Sequence, residues 1–157
     1  DRHAVLIGHS LGGPIIAQTA VDHPDLVAAL VIVAGSLDPA QEDVPLIQYV
    51  GDTWPVSALL PRWLRNTNRE IIALEPELAA LAPRLAAIHV PVTIVHGTKD
   101  ELVPFANVAF MKQHLTGTKA MDVTVLEGQN HFLPWNSKRE VDAAIAKAFA
   151  MMETAAP

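Results

Sequence analysis

Three short segments carry side chains that could together perform acyl transfer. The first is Gly8-His9-Ser10-Leu11-Gly12, a G-x-S-x-G pentapeptide. A serine hydroxyl is a weak nucleophile until a base takes its proton and an acid fixes that base. Asp100, within His96-Gly97-Thr98-Lys99-Asp100-Glu101-Leu102-Val103-Pro104, and His131, within Gly128-Gln129-Asn130-His131-Phe132, are residues of those two types. The order is Ser, Asp, His, at intervals of 90 and 31 residues. Ser10 on a sharp, strained turn needs small neighbours, so Gly8 and Gly12 are expected to crowd each other. A helix beginning at Leu11 would aim its positive end where an oxyanion forms. The plainer reading is a glycine-rich turn with a bystander serine. A phosphate loop is disfavoured, because neither G-x-G-x-x-G nor G-K-[ST] is present.

These groups need elements to hold them. His3 to Ile7 is a short apolar run, read as a buried parallel strand ending at Gly8. From Leu11 the apolar spacing becomes helical, with Pro14 in the first turn where a missing N–H is tolerated, and the helix ends near His23-Pro24. Val27 to Ala34, Pro91 to His96 and Ala120 to Leu126 read as further strands, with helices over Phe105 to Leu115 and from about Ser137. Strands alternating with helices predict an α/β domain with a mostly parallel sheet. The chemistry-bearing segments then fall at carboxyl ends of strands, where open α/β sheets place their sites.

The stretch from Asp38 to His89 breaks this rhythm. It holds Trp54, Trp63, six prolines from Pro39 to Pro83, and an apolar stripe at Ile71, Leu74, Leu78, Leu81, Leu85 and Ile88. Pro76 and Pro83 are expected to break one continuous helix, so the reading is an inserted helical lid, 38–89, rather than a coiled-coil partner. The 157 residues carry 11 Lys and Arg against 17 Asp and Glu, a net charge of −6, which argues against nucleic-acid binding. The longest apolar run, Leu26 to Ala34, is nine residues, about half of a membrane span. Cysteine is absent, which excludes disulfides, thiolate zinc sites and cysteine nucleophiles. His3, His23, His89 and His114 lie apart without ligand spacing, so no metal is inferred.

Together the three segments resemble the α/β-hydrolase superfamily over nearly the whole chain except the lid. The match is residue by residue to H-G-x-x-D-x-x-V-P at Asp100 and to G-x-x-H-F at His131. The resemblance implies Ser10 as nucleophile, Leu11 as one oxyanion-hole N–H, Asp100 and His131 as acid and base, and the 38–89 insertion as the variable cap. It implies a serine hydrolase cleaving carboxylic esters of a small or medium apolar acid, without cofactor. It also implies that about four strands and a second oxyanion donor lie upstream of Asp1, which would leave an open sheet edge available to another chain. Oligomeric state and N-terminal signals cannot be read from the sequence, and the cytoplasm is favoured as the compartment.

Alternatives stand beside this reading. The same triad serves acyltransferases, perhydrolases and carbon–carbon bond hydrolases. A truncated, non-catalytic core acting as an interaction protein is the rival from another class. Asp38 is an alternative acid position, with a turn or cap role as its ordinary reading. His9 is expected to be structural or pocket-lining, and His96 to be a satisfied strand-end histidine. Candidate pocket residues are Trp54, Trp63, Val103, Phe132 and Trp135, with packing inside the lid the ordinary role for the first two.

Overall fold

A computed structural model describes residues 3–42 and 52–155. Long β-branched runs without alternation make β2 (Val27–Val33) and β3 (Val92–Gly97), which are buried almost throughout. Such runs suit a parallel sheet covered on both faces. β1 (Ala4–His9) and β4 (Met121–Leu126) flank them, giving one parallel sheet in the order β1-β2-β3-β4. All four strands fall within a residue or two of the expected ranges. The flanking strands are only partly covered: Ile7 is 50% exposed and Val125 47%.

Because side chains alternate along a strand, β2 feeds two cores. Leu30 and Ile32 join Ile94 under α1 (Gly12–Asp22), α4 (Ala106–His114) and the 3-10 turn Ala82–Ala87, through Ile16, Met111 and Leu85. Ala29, Val31 and Val33 join Val95 on the opposite face, beneath Leu133 of the short α5 (Leu133–Asn136) and Val141, Ala144 and Ala148 of α6 (Lys138–Ala155). No helix among the described residues is long and apolar enough to cross a membrane.

The insertion departs from expectation in one respect. After α2 (Val56–Leu59), α3 runs unbroken from Arg62 to Leu81 with Pro76 inside it. An internal proline costs about 3 kcal/mol through its missing donor and ring clash. Burial of Leu78 and Leu81, each contributing about 1.5–3 kcal/mol, offsets that. Pro83 falls instead at the start of the 3-10 turn, where it is tolerated. Among the stripe residues whose side chains are described, Leu78, Leu81, Leu85 and Ile88 are each 4% exposed or less, whereas Leu74 borders a groove.

Candidate functional site

β1 ends where the chain must turn abruptly into α1. Ser10 sits at that turn with φ 56°, a left-handed conformation that costs a non-glycine residue about 1–2 kcal/mol. Its N–H donates to the Val33 carbonyl at 3.0 Å, and its carbonyl accepts from Gly13 N–H at 2.9 Å. A Cβ on Gly8 would lie 2.2 Å from the Gly12 carbonyl oxygen, so strand and helix touch backbone to backbone. The expected crowding is one-sided, since a Cβ on Gly12 meets nothing within 4 Å. Leu11, as N-cap of α1, precedes the N–H groups that a helix start leaves without intrahelical partners.

Asp100 and His131 come from the loops after β3 and β4, which are zipped together. Thr98 N–H donates to the Leu126 carbonyl at 3.1 Å, Lys99 N–H to the Gln129 carbonyl at 2.9 Å, and Gly128 N–H to Thr98 Oγ1 at 2.8 Å. Any Cβ at Gly97 would sit 2.3 Å from the Gln129 carbonyl oxygen, so glycine is what permits this approach. Asp100 Oδ1 accepts from Leu102 N–H at 3.0 Å and Val103 N–H at 2.8 Å. Asp100 Oδ2 lies 2.8 Å from His131 Nδ1, and both residues are buried. An ionised carboxylate only accepts, so Nδ1 carries the proton and Nε2 keeps its lone pair. An imidazole held this way can act as a general base.

His9 links the two halves of the site. Its Nε2 is 3.0 Å from the His131 carbonyl, and the two rings lie 4.7 Å apart at 41°. Trp135 stands edge-on to His9 at 5.7 Å, and Phe132 edge-on to His131 at 5.8 Å. No hydrogen bond joins the Ser10 hydroxyl to the His131 ring among the described residues; the contact between their segments is made by His9.

The remaining candidates sort as follows. Asp38 caps the 3-10 turn Pro39–Gln41, accepting from Ala40 N–H at 3.0 Å, which is its ordinary role. Val103, a pocket candidate, is 5% exposed and engaged through its backbone instead. Trp54 is 83% exposed, so it packs neither in a lid nor around a pocket. Trp63 lies in the first turn of α3, and its side chain falls outside the described residues. Phe132, beside His131, and Trp135, beside His9, present half or more of their surface. A groove of about 580 Å³ lies between α1 and α3, bordered by Leu11, Ile15, Leu74 and Leu78, and it includes neither Ser10 nor His131.

One positioning residue was not foreseen. Asn107 is fully buried, and its Oδ1 accepts from Leu37 N–H at 2.7 Å and Asp38 N–H at 2.8 Å while Nδ2 donates to the Pro104 carbonyl at 3.1 Å. It ties the loop after β2 to the loop that carries Asp100. An amide beside Val108 and Met111 on the buried face of α4 is the sequence signal that would have revealed it.

His96 is wholly buried, and burial pulls its pKa below the ordinary value of 6.5. The unfolded chain therefore binds a proton that the folded chain resists. Stability is expected to be full above pH 6.5 and to decline as pH falls from there toward the lower folded-state value. Urea unfolding at pH 8, 6.5 and 5 checks this; a midpoint that rises on acidification contradicts it.

Comparison with known proteins agrees with this architecture. Residues 1–56 match the model of a family described as the alpha/beta hydrolase fold. No curated protein sequence matches the chain. Among solved structures it is similar to a monoacylglycerol lipase of Paleococcus ferrophilus, at 16% identity and TM-score 0.69, covering 97% of this chain and 69% of that one. The mouse alpha/beta hydrolase domain-containing protein 10 aligns at 20% identity and TM-score 0.71, covering 99% and 64%. A structure of the metagenome-derived lipolytic enzymes LipS and LipT aligns at 15% identity and TM-score 0.70, covering 94% and 65%.

Proposed function

The chain carries an α/β-hydrolase fold, and from that premise we propose that it is part of a serine hydrolase that cleaves carboxylic esters. In this reading Ser10 attacks the ester carbonyl, His131 Nε2 takes the hydroxyl proton and returns it to the leaving alcohol, and Asp100 orients the imidazole. Water, activated by the same imidazole, then releases the acyl group from Ser10. The Leu11 N–H at the start of α1 faces the developing oxyanion. The observation that carries the proposal is the 2.8 Å contact of His131 Nδ1 with the buried Asp100 carboxylate, which commits one ring nitrogen and leaves the other free as a base.

The exposed apolar surface of Phe132 against His131 and of Trp135 against His9 and Phe132 supports an apolar acyl group. Lipases among the similar structures fit the same choice. Segment 38–89, through α2 and α3, is proposed as the cap of the site. Fluorophosphonate treatment of the intact protein followed by peptide mapping tests the assignment. The expected result is one adduct, on Ser10; a folded protein that reacts elsewhere or not at all overturns it.

A further inference from the structure

His96 has no part in the chemistry above, yet it is a buried imidazole placed against it. Nε2 lies 3.0 Å from the Val103 carbonyl, while Nδ1 is buried with no partner. Phe105 covers the ring edge-on at 5.9 Å. The Val103 carbonyl can only accept, so Nε2 must carry the proton. The opposite tautomer would bury an unpaired N–H and set a lone pair against the carbonyl oxygen, which disfavours it. Nε2 is also 3.7 Å from Asp100 Oδ2, too far for a hydrogen bond. That oxygen is left to His131.

We propose that His96 is a positioning residue for the Asp100–His131 pair, gripping the Val103 carbonyl and through it the turn whose amides hold the carboxylate. Val103 is fastened on both sides: its N–H goes to Asp100 Oδ1 and its carbonyl to His96. Releasing the carbonyl frees Val103 to rotate, and the carboxylate loses one of its two amide donors. An apolar residue would fill the space without an orphaned nitrogen, so what the imidazole adds is this grip. The ring works while neutral, since a charge at 3.7 Å would compete with His131 for the same oxygen. The titratable groups around it are Asp100 and His131, and His9 faces His131 from the other side.

The role of the pair rests on the proposed hydrolase, so the tests include readouts that need no turnover. In uniformly ¹⁵N-labelled wild-type protein, His96 is expected to be a neutral Nε2–H tautomer at pH 7. An Nδ1–H tautomer or an imidazolium overturns the proposal even if no variant folds. His96→Gln can place an amide N–H where Nε2 stands, whereas His96→Asn reaches only the Nδ1 position. The glutamine variant is expected to keep the downfield Nδ1–H resonance of His131. The asparagine variant shifts or broadens it and lowers kcat/KM about tenfold at unchanged KM, the scale of one lost hydrogen bond. Equal behaviour of the two folded variants overturns the proposal. Loss of Ser10 labelling with the resonance pattern intact would instead count against the hydrolase reading alone.

Discussion

Under the proposed serine-hydrolase mechanism, Ser10→Ala is expected to lower ester hydrolysis by about 10⁴- to 10⁶-fold, because loss of the nucleophile would abolish the acyl-enzyme route as a unit. What remains comes from binding and from the N–H groups at the start of α1, roughly 10³- to 10⁴-fold over water in comparable sites. Stability should move little. The turn at position 10 is held by main-chain bonds, Ser10 N–H to Val33 and Gly13 N–H to the Ser10 carbonyl, and alanine keeps both. The measurement is therefore paired: initial rates on a short-chain p-nitrophenyl ester, and a urea unfolding curve. A rate within tenfold of wild type, with folding unchanged, would remove Ser10 from the mechanism.

The largest effect on stability is expected from Gly8→Ala. The new methyl carbon would lie 2.2 Å from the Gly12 oxygen and 2.5 Å from the Gly12 carbonyl carbon, and neither atom can swing aside as a side chain would. β1 and α1 must part, at a cost of about 3 kcal/mol or more. Gly12→Ala is the contrasting case, because space is open around it and alanine is favoured over glycine within a helix by about 1 kcal/mol. Its unfolding midpoint should hold or rise. Two glycines of one pentapeptide thus respond differently, one losing stability and the other not, and equal destabilisation by both would show that the turn is not built on this contact.

Much of the sheet was legible because a parallel strand buried on both faces is a local signal: Val27 to Val33 and Val92 to Val95 announce themselves as unbroken β-branched and apolar runs. Positions 10, 100 and 131 stood out as candidates for a similar reason, each lying in a short pattern at a strand end. What could not be read was contact between loops distant in sequence. The His9 bond to the His131 carbonyl spans 122 residues, and the Asn107 clamp on Leu37 spans 70. The His9 bond has no local signature, and Asn107 shows locally only as an amide on a buried helix face; the partners of both exist only once the sheet aligns the strand ends. Pro76 misled in the other direction, since a local rule about helix interiors was overridden by burial of Leu78 and Leu81. The one-sided crowding at the Ser10 turn was equally hidden, because it depends on where the backbone goes after Gly8.

The division of labour between the two faces of the sheet has a consequence for synthesis. One face is closed by elements interleaved with the strands, α1 and then Leu85 and Met111. The other waits for α6, the last described element, to cover Ala29, Val31, Val33 and Val95. On a translating ribosome at about 5–20 residues per second, that apolar face stays wet for several seconds after β2 has emerged. During that interval Ala29, Val31, Val33 and Val95 have no helix to pack on, and the face closes only with the arrival of Val141, Ala144 and Ala148.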